Sequence, residues 1–185
     1  DVQNDFTEGG ALAVAGGDAV AGAISTYLAG HAGDYAVVVA SRDWHDPDSD
    51  NDGHIALTGE PDYVVTWPVH CIAGTAGAEY DPLLVTDAVT HHVRKGQGVS
   101  GYSVFDGTTG DGEAIANVLA ARGVTDIDVT GIATDYCVRV SALDALARGF
   151  QVRVFTDLIA GVAETPSEAA LAELAHAGAD LEVSA

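Results

Sequence analysis

Cys137 is the side chain of this sequence best suited to act as a nucleophile. It lies in the first turn of a predicted helix, where the helix dipole and free backbone N–H groups stabilise a thiolate and can bind a tetrahedral oxyanion. No Cys–His pair is evident, so a carboxylate would accept the proton and a lysine would stabilise the charged forms. Asp1 and Lys95, which is the only lysine, are the candidates. Taken alone, Cys137 more often indicates a small buried hydrophobic residue, the usual place of a free cysteine.

A second group of residues is typical of a metal site. Asp43 and His45, in the segment DWH, alternate just past a predicted strand and can face one cavity. A later histidine, His70 in WPVHC or His54 before it, can complete a set of oxygen and nitrogen ligands suited to zinc or iron. With open coordination positions, such a site acts as a Lewis acid or as an anchor for a ligand. For any one of these histidines, a solvated loop position is the alternative.

Both groups depend on a predicted sheet that brings strand ends together. β-Branched runs alternate with segments of helical apolar spacing, which predicts a three-layer α/β/α fold with a mostly parallel, doubly wound sheet. Ligands bind such sheets outside the carboxyl ends of the strands, where Asp43, Lys95 and Cys137 stand. Asp1 joins them if a first strand, apparently truncated from this sequence, precedes it. The predicted helices cover 18–30, 112–123, 134–149 and 167–178, and Asp18 is the predicted N-cap of the first. The predicted strands cover 35–41, 88–96, 125–133, 151–159 and 180–185.

The composition limits the kinds of protein that this chain can be. A length of 185 residues with 48% hydrophobic residues suits a single folded domain, 1–185, with a full core. The formal net charge of −21 disfavours nucleic acids and anionic membranes as partners and suits solubility at high salt. No apolar run approaches the roughly 20 residues that span a bilayer, and no signal peptide opens the sequence. With 2 distant cysteines and no CxxC pair, a reduced, cytoplasmic protein is expected.

Five segments together resemble one family. The segments DVQNDFTEGGALAV, SRDWH, TWPVHCIAGTAGAEY, KGQGVSGYSVFDG and GIATDYCVRVSALDALARGF occur in this order at compatible separations. They resemble the nicotinamidases, also called pyrazinamidases, of the isochorismatase-like cysteine hydrolase superfamily, over nearly the whole chain. The resemblance implies the isochorismatase-like hydrolase fold. It also implies an enzyme that converts nicotinamide, or pyrazinamide-type analogues, to the acid and ammonia through a thioacyl intermediate.

The resemblance implies a catalytic triad of Asp1, Lys95 and Cys137. Asp1 would accept the thiol proton. The N–H groups of Ala133 and Cys137 would form the oxyanion hole, aimed by a cis peptide bond between Ile132 and Ala133. We expect replacement of a triad residue by alanine to leave the fold intact and to remove nearly all turnover.

The resemblance also implies one bound divalent metal ion, zinc in the first place and iron or manganese as alternatives. Asp43, His45 and His70 would be its ligands, and His54 would be a further one. The pyridine nitrogen of a nicotinamide-like heteroaromatic amide would bind this ion. The residues expected to line the substrate pocket are Phe6, Leu12, Trp67, Tyr102, Ile132 and Ala133.

Three alternatives differ in their chemistry. Isochorismatases share the fold but lack the nucleophilic cysteine, so Cys137 argues against them. N-carbamoylsarcosine-type amidohydrolases share the triad but not the metal ligands, so DWH and WPVHC favour a heteroaromatic amide. A non-catalytic metal-binding protein of the same fold would have an unreactive Cys137 and would release no ammonia. The sequence leaves the oligomeric state open, a homo-oligomer included.

Overall fold

The computed structural model describes all of residues 1–185, which form an α/β fold with four α-helices and six strands. No helix has the length and apolar character required to cross a membrane. The α-helices are α1 (Gly17–His31), α2 (Ile115–Ala121), α3 (Arg139–Ala147) and α4 (Glu164–Ala177). The strands are β1 (Val39–Asp43), β2 (His91–Lys95), β3 (Thr108–Thr109), β4 (Asp126–Ile132), β5 (Gln151–Ala160) and β6 (Asp180–Glu182).

The strands form two three-stranded sheets, in the orders β1-β2-β3 and β4-β5-β6. Neighbouring strands run parallel except β2 and β3, so the predicted α/β class and its predominantly parallel pairing are confirmed. The two sheets do not join into one, because β1 and β4 do not pair and instead both line a cavity of about 640 Å³. The strand expected before Asp1 falls outside residues 1–185 and stays a prediction.

Helix α1 packs on the second sheet through one apolar face. Its residues Val20, Ala21 and Ile24 are buried, and their spacing places them on one side of the helix. They join Phe155 and Leu158 of β5 in a hydrophobic cluster. Burying an aliphatic or aromatic side chain of this size contributes ~1.5–3 kcal/mol. This packing holds the sheet whose strand β4 leads into the candidate site.

Element boundaries differ from the prediction where neighbouring contacts decide them. Strand β1 begins at Val39, four residues later than predicted, because its partner β2 begins only at His91, which pairs with Val39. Helix α1 begins after Gly16, whose φ of 86° belongs to the left-handed region that favours glycine. The prediction of Asp18 as N-cap is therefore wrong, and Asp18 lies in the first turn instead.

Candidate active site

Lys95 lies at the centre of a buried group of charged and nucleophilic side chains. Its Nζ atom is 3.0 Å from Asp1 Oδ2, 2.5 Å from Asp43 Oδ1 and 3.6 Å from Cys137 Sγ. Lys95 itself is 1% exposed. Strands β1 and β2 bring Asp43 and Lys95 side by side, because these two residues are Cα partners in the parallel register. The structure thus brings together the three residues that the sequence suggested as a triad.

Ion pairing between Lys95 and Asp43 keeps both of these buried side chains charged. Burial disfavours the ammonium of Lys95, but Asp43 and Cys137 more than offset this effect, so the pKa of Lys95 lies above its ordinary value. Burial likewise opposes ionisation of Asp43, yet Lys95 holds the pKa of this carboxyl below its ordinary value. Asp1 Oδ1 is buried without a hydrogen-bond partner. That oxygen is in a position to accept a proton.

Cys137 lies in a π-helical turn, Thr134–Val138, that precedes α3. The Val138 N–H donates to the Ala133 carbonyl at 3.0 Å, a five-residue step that widens the turn. Burial raises the pKa of the Cys137 thiol, although Lys95 opposes this effect. The helix end that the sequence indicated is therefore not sufficient to hold Cys137 as a thiolate. The resting side chain is a thiol, and its use as a nucleophile requires a base.

Ile132 and Ala133 differ in their position relative to the pocket beside Cys137. The peptide bond between them is cis, as the resemblance implies. Ala133 lines the pocket beside Cys137, and the oxyanion-hole role of these two N–H groups stays a prediction. Ile132 does not line this pocket: its side chain is 1% exposed and packs in the core with residues such as Phe155. Ile132 is the last residue of β4, whereas Ala133 lies past the end of the strand and directly before the turn that carries Cys137.

Three buried histidines, His45, His54 and His70, offer ring nitrogens that all lie within 4.8 Å of one another. Nδ1 of His45 donates to the Gly96 carbonyl at 2.8 Å, and Nδ1 of His70 donates to the Pro68 carbonyl at 2.7 Å. Contacts of this kind fix a ring and its tautomer and leave the other nitrogen free to coordinate. His45 Nε2 and His54 Nδ1 are both buried without a hydrogen-bond partner.

Burial favours the neutral ring at two of the histidines, His54 and His70. Burial, followed by the charge of His45, lowers the pKa of His54 to about 3. Burial also lowers the pKa of His70. A buried ring nitrogen without a partner is unfavourable, and neutral imidazole is a common metal ligand. The donor set therefore fits a divalent metal ion.

Asp43 lies between the histidines and the group around Lys95. Its Oδ1 contacts Lys95, and its Oδ2 is 3.8 Å from His45 Nε2. It is outside the set of mutually close donors, whereas His54, which the sequence treated as a further ligand, is inside it. The structure thus places three of the four expected ligands together and Asp43 beside them. Coordination by Asp43 stays a prediction.

Gln3 and Gly96 support the site, although sequence reasoning did not single them out. The buried amide of Gln3 accepts the Asp43 N–H at 2.8 Å and donates to the Asp43 carbonyl at 2.9 Å. Gly96 has a φ of +76°, and a Cβ at this position would lie 2.6 Å from a ring carbon of His45. The glycine after Lys95 is thus required by backbone conformation and by space. The available signals were a polar residue in DVQNDF and the KG pair itself.

An apolar pocket adjoins Cys137 and the histidines. Within its wall the Trp67 indole N–H donates to the Tyr102 hydroxyl at 2.9 Å. The ring of Tyr136 packs perpendicular to Trp67, with centroids 4.9 Å apart. Of the expected residues, Phe6, Leu12, Trp67, Tyr102 and Ala133 line the pocket, and Val14, Tyr136 and Val162 line it without having been predicted.

The sequence is similar to known proteins along nearly its whole length. The family described as "Isochorismatase domain" matches residues 1–184. The nicotinamidase/pyrazinamidase of Mycobacterium tuberculosis is 48% identical over 181 residues, which cover 98% of this chain and 94% of that protein.

Solved structures are similar as well. The pyrazinamidase of Pyrococcus horikoshii, solved in complex with zinc, has a TM-score of 0.80 and 34% identity, over 99% of this chain and 95% of the other. A protein from L. infantum, solved in complex with nicotinate, has a TM-score of 0.82 and 33% identity, over 100% of this chain and 89% of the other.

Proposed function

The chain belongs to the isochorismatase domain family, and from this premise we propose that it is a nicotinamidase, a hydrolase that converts nicotinamide to nicotinate and ammonia and also acts on pyrazinamide-type analogues. One observation carries the proposal: a single pocket adjoins a buried Cys–Lys–Asp group and a buried three-histidine cluster. The first suits attack on an amide carbonyl, and the second suits an anchor for a heteroaromatic ring.

Acylation begins with the neutral thiol of Cys137. Asp1 accepts its proton, and Lys95, 3.0 Å from Asp1 and 3.6 Å from Sγ, stabilises the resulting charges. The sulfur attacks the carboxamide carbon, and the N–H groups of Ala133 and Cys137 stabilise the oxyanion. Asp1 returns the proton to the leaving nitrogen, so that the C–N bond breaks, ammonia departs and a thioester remains.

Deacylation uses the same residues in reverse roles. Asp1, unprotonated after ammonia has left, accepts a proton from a water molecule that attacks the thioester carbonyl. The C–S bond breaks, nicotinate is released, and the proton returns from Asp1 to the sulfur of Cys137. Two steps with a covalent intermediate replace one difficult amide hydrolysis.

His45, His54 and His70 would hold one divalent cation, with Asp43 as a further ligand, and zinc is our first expectation ahead of iron or manganese. Two observations support this: buried ring nitrogens without partners, and the zinc complex of the Pyrococcus horikoshii relative. When bound, the cation supplies a Lewis-acid anchor for the ring nitrogen of the substrate. The free thiols of Cys71 and Cys137 suit a reducing compartment, so we also propose a cytoplasmic location.

Ammonia release from nicotinamide tests the proposal. We expect turnover by the purified protein, nearly complete loss in Cys137→Ala, and a loss on chelation that added zinc reverses. Cys71→Ala is the matched control, since Cys71 is the only other cysteine and its thiol donates to the Gly77 carbonyl. No ammonia from the zinc-loaded protein would overturn the proposal. Turnover of N-carbamoyl amides instead would identify the other amidohydrolase class.

A further inference from the structure

His54 differs from the other two histidines of the cluster in how its ring is held. Nδ1 of His45 donates to the Gly96 carbonyl at 2.8 Å, and Nδ1 of His70 donates to the Pro68 carbonyl at 2.7 Å. Such contacts orient a metal ligand from outside the coordination shell. Nδ1 of His54 is instead buried without a hydrogen-bond partner. The orientation of the His54 ring therefore depends on the backbone that carries it.

The backbone directly before His54 has an unusual conformation. Asn51, Asp52 and Gly53 have φ angles of 51°, 60° and 78°, all in the left-handed region. Residues other than glycine visit this region as single residues, and they keep it only where the surrounding structure enforces it. The turn places the ring of His54 beside that of His45, with centroids 4.8 Å apart. A contact that enforces this turn therefore also positions His54.

The side chain of Asn51 enforces the turn. It is fully buried, and its Oδ1 accepts the N–H groups of Asp46 at 2.9 Å and Gly98 at 3.1 Å. Its Nδ2 donates to the carbonyls of Asp46 at 3.2 Å and Ser49 at 3.0 Å. The Asn51 carbonyl in turn accepts the His54 N–H at 3.3 Å. Asn51 thus links both ends of the loop through its side-chain amide and its own carbonyl.

The contact with Gly98 relates this loop to the group around Lys95. Gly98 follows Lys95, which is the last residue of β2. Between them, the Gly96 carbonyl accepts the ring N–H of His45. This short segment thus contacts both the His45 ring and the Asn51 amide. The two contacts hold the histidines in a fixed position relative to the strand end that carries Lys95.

We propose that Asn51 is the positioning residue for His54 and makes the third imidazole of the cluster available to the bound metal ion. The inference rests on the proposed function for the presence of that ion. The Asn51 amide contacts backbone groups, so it acts through His54 and takes no part in the reaction itself. Without this side chain, His45 and His70 keep their own ring contacts, and the cluster becomes a two-histidine site.

Zinc affinity measured in a double-mutant cycle tests this inference. Asn51→Gly removes the side chain and keeps a residue that adopts positive φ, so it separates the hydrogen bonds from backbone strain. It should weaken zinc binding about tenfold or more, as measured by competition with a chromogenic chelator. In a His54→Ala protein, the same substitution should change the affinity by less than about twofold, because the residue through which it acts is gone. An equal loss in both proteins would indicate a general structural effect and overturn the inference.

The absorption spectrum of the cobalt-loaded protein reports on the coordination itself, because the d–d bands of Co²⁺ depend on the number and type of its ligands. Asn51→Gly should shift the wild-type spectrum towards that of His54→Ala, and an unshifted spectrum would overturn the inference. Asp62→Ala is the matched control: Asp62 Oδ1 accepts three backbone N–H groups, so its loss disturbs a turn that follows His54 rather than one that precedes it. It should leave the affinity and the spectrum unchanged, and an effect equal to that of Asn51→Gly would count against the role of Asn51.

This inference and the proposed function fail in different ways. Wild-type protein that binds zinc but releases no ammonia would sink the proposed function, and the cycle would still decide the role of Asn51. Wild-type protein that binds neither zinc nor cobalt would overturn both. If Asn51→Gly does not fold, Asn51→Asp takes its place, since it keeps the two accepted hydrogen bonds and loses the two donated ones. Its loss of zinc affinity should likewise disappear in the His54→Ala protein.

Discussion

Replacing Lys95 by methionine should destabilise the protein strongly, because it leaves two carboxylates buried without their cation. At an effective dielectric constant of about 20, the 2.5 Å pair with Asp43 corresponds to ~6–7 kcal/mol of attraction before desolvation is subtracted. Breaking a buried pair by removing one partner costs about 3–5 kcal/mol net. Whole domains are stable by only ~5–15 kcal/mol. The burial of Lys95 thus argues against the expectation from the sequence that an alanine variant leaves the fold intact, and denaturation of the variant decides between the two.

The loss of stability should depend on pH in a defined direction. In the wild-type protein the lowered pKa of Asp43 contributes stability above the unfolded pKa of ~3.9, and this is lost as pH falls through the folded pKa. Without Lys95, only the smaller effects of His45 and His70 oppose burial, so we expect the pKa of Asp43 to rise above that of the unfolded chain. The folded variant then takes up protons first on acidification. Its destabilisation should be largest near neutral pH and should shrink towards about pH 4.

Urea denaturation of the metal-free protein, followed by tryptophan fluorescence from about pH 4 to 8, measures both effects. The double variant Lys95→Met/Asp43→Asn is the control, since it removes one of the orphaned charges and should recover part of the loss. The reasoning would be refuted if Lys95→Met were as stable as the wild-type protein at neutral pH. It would also be refuted if the loss of stability in Lys95→Met did not shrink on acidification.

Three further predictions concern the support of the site and the surface. Gly96→Ala should weaken zinc binding by about 10–100-fold, because the new methyl group collides with His45 and disturbs an outer contact of a ligand. Competition with a chromogenic chelator measures this affinity, and an unchanged affinity would contradict the argument. Gln3→Leu should lower the free energy of unfolding by about 2–4 kcal/mol, since each buried backbone partner left unsatisfied costs ~1–3 kcal/mol. Urea denaturation tests this, with Asn4→Leu, which removes one hydrogen bond from a partly exposed side chain, as control. Raising KCl from about 0.1 to 1 M should raise the melting temperature of the protein. The Debye length falls from ~10 to ~3 Å, so the added salt screens the repulsion that arises from the net charge of −21. A calorimetric melting temperature that does not rise would contradict this prediction.

The sequence predicted the elements with strong periodicity and the types of residue at their ends. Helix α1 and strand β5 were expected within one or two residues of their observed bounds, because each carries a long apolar pattern. The polar residues after the strands were also expected to converge, and Asp43 and Lys95 are indeed partners in register. Periodicity and strand ends are local signals, which a single sequence contains.

Features that depend on three-dimensional contacts were not predictable in the same way. The role of Gln3 arises from contacts with residues 40 and 75 positions away, and no local pattern indicates them. The π-helical turn around Cys137 depends on the hydrogen bond from Val138 to Ala133, and the raised pKa of the Cys137 thiol depends on burial. The helical pattern of ATDYCVRV reports neither.

The position of Lys95 leaves the surface of residues 1–185 without a single lysine amine. The chain has one lysine, and it is 1% exposed. Acylating reagents and lysine-directed modifying enzymes thus find no ε-amine on the folded surface. Labelling of Lys95 by an N-hydroxysuccinimide ester should occur only when the core opens, at a rate that rises with urea. Label on Lys95, located by mass spectrometry, then makes the residue that we place in catalysis a reporter of global unfolding.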